Sequence, residues 1–377
     1  MAGMYIHIPF CKQACSYCDF HFSTKLSNKQ AVLSAIEKEL ELRANYIGNE
    51  LVETIYLGGG TPSLLNEVEL QSLFRTVHST FNVSKEAEIT LEANPDDLTQ
   101  EKLQELKQTS INRLSIGVQS FFEEDLRFMN RAHNATEALE SIQYAKELGF
   151  NNLSIDLIFG GQTTTNKMWQ KNLDTFFELG INHLSAYSLS IEEKTALAHQ
   201  VAKGKVENVD DEQNYAQYLM LQKAVQKNAF EQYELSNYCK NKSYSKHNTS
   251  YWQNKKYIGV GPSAHSFNRV SRQWNVRNNS LYLKAINNGT SYFEKEELSE
   301  IDRYHEYLIT SLRTKRGVNL VDLKFLFSSQ IVEFFNTKKL FLNKSIVDLS
   351  NEALIVKSEY LFQSDEVVRE LMVDLET

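Results

Sequence analysis

Three cysteines share one short stretch near the N-terminus, Tyr5-Ile6-His7-Ile8-Pro9-Phe10-Cys11-Lys12-Gln13-Ala14-Cys15-Ser16-Tyr17-Cys18. Their CxxxCxxC spacing puts three thiolates on a single loop. A [4Fe–4S] cluster has four irons and normally takes four thiolates, so such a triplet leaves one iron open to an outside ligand. A structural zinc site wants four ligands, usually as two CxxC pairs, and the remaining cysteine, Cys239, is far away in sequence. His7 or His21 completes a Cys3His site on paper, but zinc leaves the chain's other polar motifs without a purpose. A disulfide framework fits a chain of 377 residues with four cysteines poorly, and Met-Ala-Gly-Met-Tyr-Ile-His lacks the basic and long apolar regions of a secretory leader. The cysteines read as reduced, metal-ligating and cytoplasmic.

The next chemistry-bearing groups are Gly58-Gly59-Gly60-Thr61-Pro62, Glu92-Ala93-Asn94-Pro95, Gly117-Val118-Gln119-Ser120-Phe121, Arg131, and Asp156 followed by Gly160-Gly161. The glycine triplet lets backbone approach a small zwitterion and turn carbonyls toward its ammonium, with the Thr61 hydroxyl beside it. Glu92 and Asp156 are acceptors for hydroxyls or an ammonium group, and Gln119 and Arg131 are donors for a carboxylate. Asp156 lies among Ile155, Leu157, Ile158 and Phe159, where a carboxylate needs a partner. For Arg131 a surface ion pair is the plain alternative.

The elements that must hold these groups alternate. Short β-type runs at 4–8, 52–57, 87–91, 114–117, 153–159 and 183–188 are separated by helical patterns near 28–44, 66–81, 99–108, 137–148 and 167–179. Asn66 with Glu69 reads as a helix N-terminus. Six β/α units predict an α/β fold, a parallel sheet covered by helices in an open, partial (β/α)6 barrel. Every motif above then falls at a C-terminal strand end, the rim that carries chemistry in barrel enzymes.

Hydrophobic residues make up 42% of the chain and charged residues 23%, an ordinary globular composition. No apolar run approaches the roughly eighteen residues of a membrane helix. A net charge of −8 argues against non-specific nucleic-acid binding, and Arg269, Arg272 and Arg277 read as a solvated loop unless they face an anionic ligand. No tandem repeat or low-complexity segment is visible.

The cysteine triplet, with the aromatic Tyr17 just before its third member, resembles the radical SAM superfamily, in which S-adenosylmethionine occupies the open iron. The Tyr5–Cys11, Gly58–Pro62, Glu92–Pro95, Gly117–Phe121 and Asp156–Gly160 blocks resemble more closely the oxygen-independent coproporphyrinogen III oxidase-like family and its heme-chaperone branch, HemW. They span the first two fifths of the chain in the family's order. The resemblance implies S-adenosylmethionine contacts at Tyr5, Gly59, Gly60, Thr61, Glu92, Gln119, Arg131 and Asp156, with Tyr17 beside the cluster.

Two departures separate the chain from the oxidase. No further cysteine follows two residues after the triplet, where Cys18-Asp19-Phe20 stands, and the first strand begins by Met4 without the oxidase's N-terminal extension. His247-Asn248-Thr249-Ser250-Tyr251-Trp252 also matches the HNxxYW motif of the chaperones. It implies an axial imidazole at His247 and porphyrin-facing aromatics at Tyr251 and Trp252. A histidine packed in a core or loop is the alternative for an isolated match.

The expectation is a cytoplasmic heme chaperone with a [4Fe–4S] cluster and S-adenosylmethionine, which passes heme to an apo-hemoprotein; the rival is a coproporphyrinogen III oxidase. The resemblance implies no nucleic-acid partner and leaves room for a homodimer and for peripheral membrane contact through the acceptor. The expected organisation is a barrel over 1–235, a connecting segment with the heme motif over 236–295, and a winged-helix-like C-terminal domain over 296–377. In that last part, helices over 301–314 and from about Leu320 precede a hairpin of 354–356 and 360–362. An acidic tail over 365–376 argues against DNA binding.

Overall fold

The computed structural model describes residues 1–373; the end of the acidic tail lies outside them. Strands β1 (Ala2–Ile8), β2 (Val52–Gly59), β3 (Val83–Ala93), β4 (Arg113–Gln119), β5 (Leu153–Phe159) and β6 (His183–Ser188) pair in chain order, all parallel. Between them run α1 (Lys29–Leu42), α2 (Glu67–Thr80), α3 (Gln100–Lys107), α4 (Glu123–Phe128), α5 (Ala135–Glu147) and α6 (Asn166–Glu178). The strands are largely apolar because both faces are covered over most of their length: in β1, Met4, Ile6 and Ile8 are all fully buried. The helices need one apolar stripe only, and α2 buries Leu70, Leu73, Phe74 and Val77 at helical spacing. Asn66 and Glu69 form the capping box at its start, and Asn134 and Glu137 form a second one before α5.

The sheet then grows beyond the six β/α units. After β6 come α7 (Ala196–Ala202) and α8 (Asp211–Lys227), then β7 (Glu231–Gln232) and β8 (Asn237–Cys239), with β8 antiparallel to β6. Helix α9 (Lys246–Trp252) carries the chain across to β9 (Lys256–Val260), which pairs parallel with β1 at the opposite flank. There β10 (His265–Phe267), β11 (Ser271–Asn275), α10 (Asn279–Asn288) and β12 (Phe293–Glu297) follow, the strands antiparallel. The result is one open sheet of twelve strands running from β12 to β7. Residues 236–295, expected as a connection, supply strands to both of its flanks.

A separate core closes the chain. It unites α11 (Glu300–Leu312), β13 (Val318–Asn319), α12 (Leu320–Leu326), α13 (Ser329–Lys338), β14 (Val347–Leu349), β15 (Ala353–Val356) and α14 (Ser364–Leu371), with β15 central in a small antiparallel sheet. Here the sequence expectation is corrected: β15 pairs with β14, and 360–362 belongs to a 3-10 turn (Ser358–Gln363). The reason lies in Phe362, which stacks on Tyr218 at 5.0 Å and approaches Phe159 at 6.5 Å, tying this part to the large sheet. No helix among the described residues is long and apolar enough to cross a membrane.

Burial also makes stability depend on pH. Burial pushes the imidazoles of His7 and His133 down to about 4 and that of His247 down to about 3. Between those values and the ordinary value of about 6.5 each of these imidazoles is protonated in the unfolded chain and neutral in the fold, so its contribution to stability is lost as pH drops below 6.5, while the raised Glu92 carboxyl acts in the opposite sense. Thermal melts from pH 7 to pH 5 should separate His247→Gln from wild type, the variant gaining relative stability on acidification by up to about 1.4 kcal/mol per pH unit, one proton's worth. Parallel slopes for variant and wild type would show that His247 titrates normally in the fold.

Candidate functional site

The cysteine loop leaves the end of β1 and is tied down on every side. Cys11 N donates to Ser23 O at 3.1 Å, Ser16 N to Met129 O at 3.0 Å, and Leu197 N to Ser16 O at 2.8 Å. Asn130 Nδ2 reaches Ala14 O at 2.7 Å, while Gln13 Nε2 reaches Asn130 O at 2.9 Å. Beneath the loop, Gly60 N donates to Ile8 O at 2.9 Å and Thr61 N to Phe10 O at 2.7 Å. A Cβ on Gly60 would lie 2.6 Å from Phe10 O and 2.7 Å from Ile8 O, so only glycine lets the β2 turn seat this loop.

The three thiols stand at the wall of a cavity of about 650 Å³. Tyr17, Gly59, Gly60 and Thr61 line it with them, as do Glu92 and Gln119 from the ends of β3 and β4, Arg131 from the loop after α4, and Asp156 from the middle of β5. Tyr5 stands apart: its phenol meets His7 Nδ1 at 3.1 Å and it faces a neighbouring cavity. Burial pushes the Cys11 thiol up to about 11 and Cys18 up to about 12, so a metal must displace protons to bind there. His7 Nε2 bonds His21 O at 2.8 Å and His21 Nε2 bonds Asn279 Oδ1 at 2.7 Å, so both histidines have a ring nitrogen engaged away from the thiols. Among the described residues no three His, Cys, Asp or Glu side chains converge on a single ion.

Burial governs the electrostatics of the polar wall. Glu92 accepts from Tyr56 Oη at 2.8 Å and from Gly59 N at 3.1 Å, yet burial pushes its carboxyl up to about 7. Burial raises Asp156 as well; Ser115 Oγ lies 3.3 Å from both of its oxygens, and the buried Arg113 guanidinium opposes the shift. Arg131 is no surface ion pair. Its Nη1 sits 3.3 Å from Cys15 Sγ, its Nη2 donates to Asn94 Oδ1 at 2.6 Å and to Gly117 O at 2.8 Å, and its buried Nε has no partner. Gln119 holds a left-handed φ of 68°, a strained conformation for a residue with a side chain and one concentrated at ligand sites.

Three thiols on one pinned loop, an orphaned guanidinium nitrogen, a strained glutamine and two raised carboxylates fit a three-thiolate cluster beside a small zwitterion bearing hydroxyls. Sequence reasoning missed Ser115, Asn94 and Tyr56 as partners of this set. Register was the available signal, since Glu92 pairs with Ser115 across β3 and β4 and Asp156 with Ser185 across β5 and β6.

The His247 motif forms helix α9. Helix α9 packs against β1 and β2, and His247 is 0% exposed. Its Nδ1 bonds Thr54 Oγ1 and its Nε2 bonds Tyr251 Oη, both at 2.8 Å, while its ring stacks on Tyr56 at 4.9 Å. Both imidazole nitrogens are hydrogen-bonded, so ligation through His247 requires one of these two bonds to be exchanged. Tyr251 reaches the neighbouring cavity; Trp252 is half-buried at the helix end and does not line it.

A parallel β/α half-barrel with a three-cysteine loop at its rim defines a radical S-adenosylmethionine protein, and the model of the Radical SAM superfamily matches residues 5–176. The curated heme chaperone HemW of Bacillus subtilis is 35% identical over 322 residues, 85% of each chain. That of Lactococcus lactis is 32% identical over 356 residues, 92% of this chain and 93% of its own. The chain belongs to the HemW family. The solved coproporphyrinogen III oxidase HemN of Escherichia coli shares the fold, with a TM-score of 0.84 over 98% of this chain and 89% of its own, at 20% identity.

Proposed function

We propose that the chain is a cytoplasmic heme chaperone that holds one [4Fe–4S] cluster on Cys11, Cys15 and Cys18, binds S-adenosylmethionine beside it, and hands heme to an apo-hemoprotein. The observation carrying this reading is the family membership joined to a complete rim: three thiols and eight of the nine expected S-adenosylmethionine contacts face one cavity. Gly59 and Gly60 bring backbone close to the ligand's amino-acid moiety. Glu92 and Asp156 accept from its ammonium and ribose hydroxyls, and Arg131 carries the countercharge for its carboxylate. A bound cluster supplies an electron, and the sulfonium is the group able to take it.

The chaperone reading is favoured over the oxidase by Asp19-Phe20 after Cys18, where the oxidase carries a further cysteine, and by the His247–Trp252 motif. The likeness to HemN is one of fold alone. The test is transfer of hemin from the reconstituted protein to an apo-hemoprotein, set against anaerobic turnover of coproporphyrinogen III.

A further inference from the structure

The inner face of the half-barrel stays polar below the cavity. Residues paired across a parallel sheet share a face, and every second residue along a strand returns to it. Glu92 and Asp156 line the cavity, so Thr90 on β3 and Arg113, its register partner on β4, lie on the same inner face one layer down. Ser115 links the layers: it is paired with Glu92, stands two residues beyond Arg113, and lies 3.3 Å from both Asp156 oxygens. Where barrel interiors usually carry branched apolar side chains, this layer carries a guanidinium.

Arg113 is 1% exposed, and its Nε and Nη1 have no hydrogen-bond partner among the described residues. The hydroxyl of Thr90 is buried and unpartnered too. A buried cation without direct partners is costly and needs anions close by to offset it. Two acids answer that need. Burial pushes the Glu92 carboxyl up to about 7 and the negative Asp156 adds to the push, while Arg113 opposes it. Burial raises Asp156 as well, against Arg113 and Arg131.

The other titratable groups around the pair carry no compensating charge. Burial raises the phenols of Tyr5, Tyr56, Tyr187 and Tyr251, which leaves them neutral. It lowers the imidazoles of His183 and His247, with Arg113 adding to the effect. Glu88, deeper on β3, is held by the His247 amide at 3.0 Å, and Arg131 is tied at the rim to Cys15 Sγ, Asn94 Oδ1 and Gly117 O. With the cluster bound, the Cys11 thiolate belongs to the metal. Arg113 is left as the cation whose charge no bonded partner draws away from the pair.

Resting on the S-adenosylmethionine reading, we propose that Arg113 is a positioning residue for that ligand: from the layer below, its fixed positive charge holds Glu92 and Asp156 together as anions, so that both accept hydrogen bonds from the ligand's ammonium and hydroxyls. Without it, one of two crowded carboxyls keeps its proton near neutral pH and is lost as an acceptor. Raising the pH removes that proton and restores the site.

The test is equilibrium dialysis of S-adenosylmethionine against the cluster-reconstituted full chain between pH 6 and pH 8.5, with iron counted in every sample. The ligand's own titration and the cluster are common to all variants. Arg113→Gln should keep its iron, bind about tenfold more weakly at pH 7, and come within about twofold of wild type at pH 8.5, as expected for a carboxyl midpoint raised by about one unit. Arg113→Lys, which keeps the charge, should follow the wild-type profile within about twofold. A deficit that stays constant across pH, or a lysine variant as weak as the glutamine one, overturns the proposal and leaves the S-adenosylmethionine reading standing. If Arg113→Gln does not fold, Glu92→Gln is compared with Glu92→Gln/Arg113→Gln, in which one acid leaves with the cation; the same upward shift should then appear on Asp156 alone, and coincident profiles overturn the proposal. Failure of wild type to bind S-adenosylmethionine at any pH overturns both.

Discussion

Replacing Cys11, Cys15 or Cys18 by alanine is expected to reduce iron after anaerobic reconstitution from about four atoms per chain to background, with loss of the broad charge-transfer absorption of the cluster. A cluster on three thiolates already has one open iron, and removing one of the three leaves half of its corners unheld. Cys239→Ala should keep wild-type iron and sulfide. That thiol is fully buried in β8, paired across the sheet to His183 and not among the residues that line the first cavity. Loss of the cluster in Cys239→Ala would contradict the assignment.

The second large effect concerns S-adenosylmethionine. Gly59 has φ +106°, and a Cβ there would come within 2.4 Å of the His7 ring, so Gly59→Val must distort the β2 turn that seats both ligand and loop. Asp156→Ala leaves the loop untouched and removes one acceptor only. It should keep its iron while losing roughly 1.5–3 kcal/mol of binding free energy, about ten- to a hundredfold in affinity. Equilibrium dialysis on the reconstituted proteins separates the two variants. Unchanged affinity in both would move the ligand out of this cavity.

Much of this architecture is legible in the sequence because the six parallel strands are covered on both faces over most of their length and so appear as largely apolar runs, with the glycine and carboxylate motifs toward their C-terminal halves. The cysteine loop, the glycine turn, Glu92, Gln119 and Asp156 are legible for that reason. The sheet extension is not. Strand β11, Ser-Arg-Gln-Trp-Asn, and β12, Phe-Glu-Lys-Glu-Glu, carry charges on their open faces. The parallel pairing of β9 with β1 joins segments some 250 residues apart, which no local pattern announces. Arg131 could not be told from a surface arginine until the turn after α4 brought it to Cys15.

His247 shows the limit most clearly. Its motif is legible, but its environment depends on α9 crossing beside β1 and β2, where Thr54, Tyr56 and Glu88 close around it. Thr54 and Tyr251 each take one ring nitrogen, and burial disfavours the charged form.

The most direct measurement loads the cluster-reconstituted protein with hemin under anaerobic conditions and mixes it with an apo-hemoprotein, following the acceptor's regained activity. A parallel sample receives coproporphyrinogen III, S-adenosylmethionine and a reductant. The account predicts that heme moves to the acceptor and that no protoporphyrinogen IX forms. Formation of protoporphyrinogen IX by a protein that neither retains nor transfers heme would contradict it.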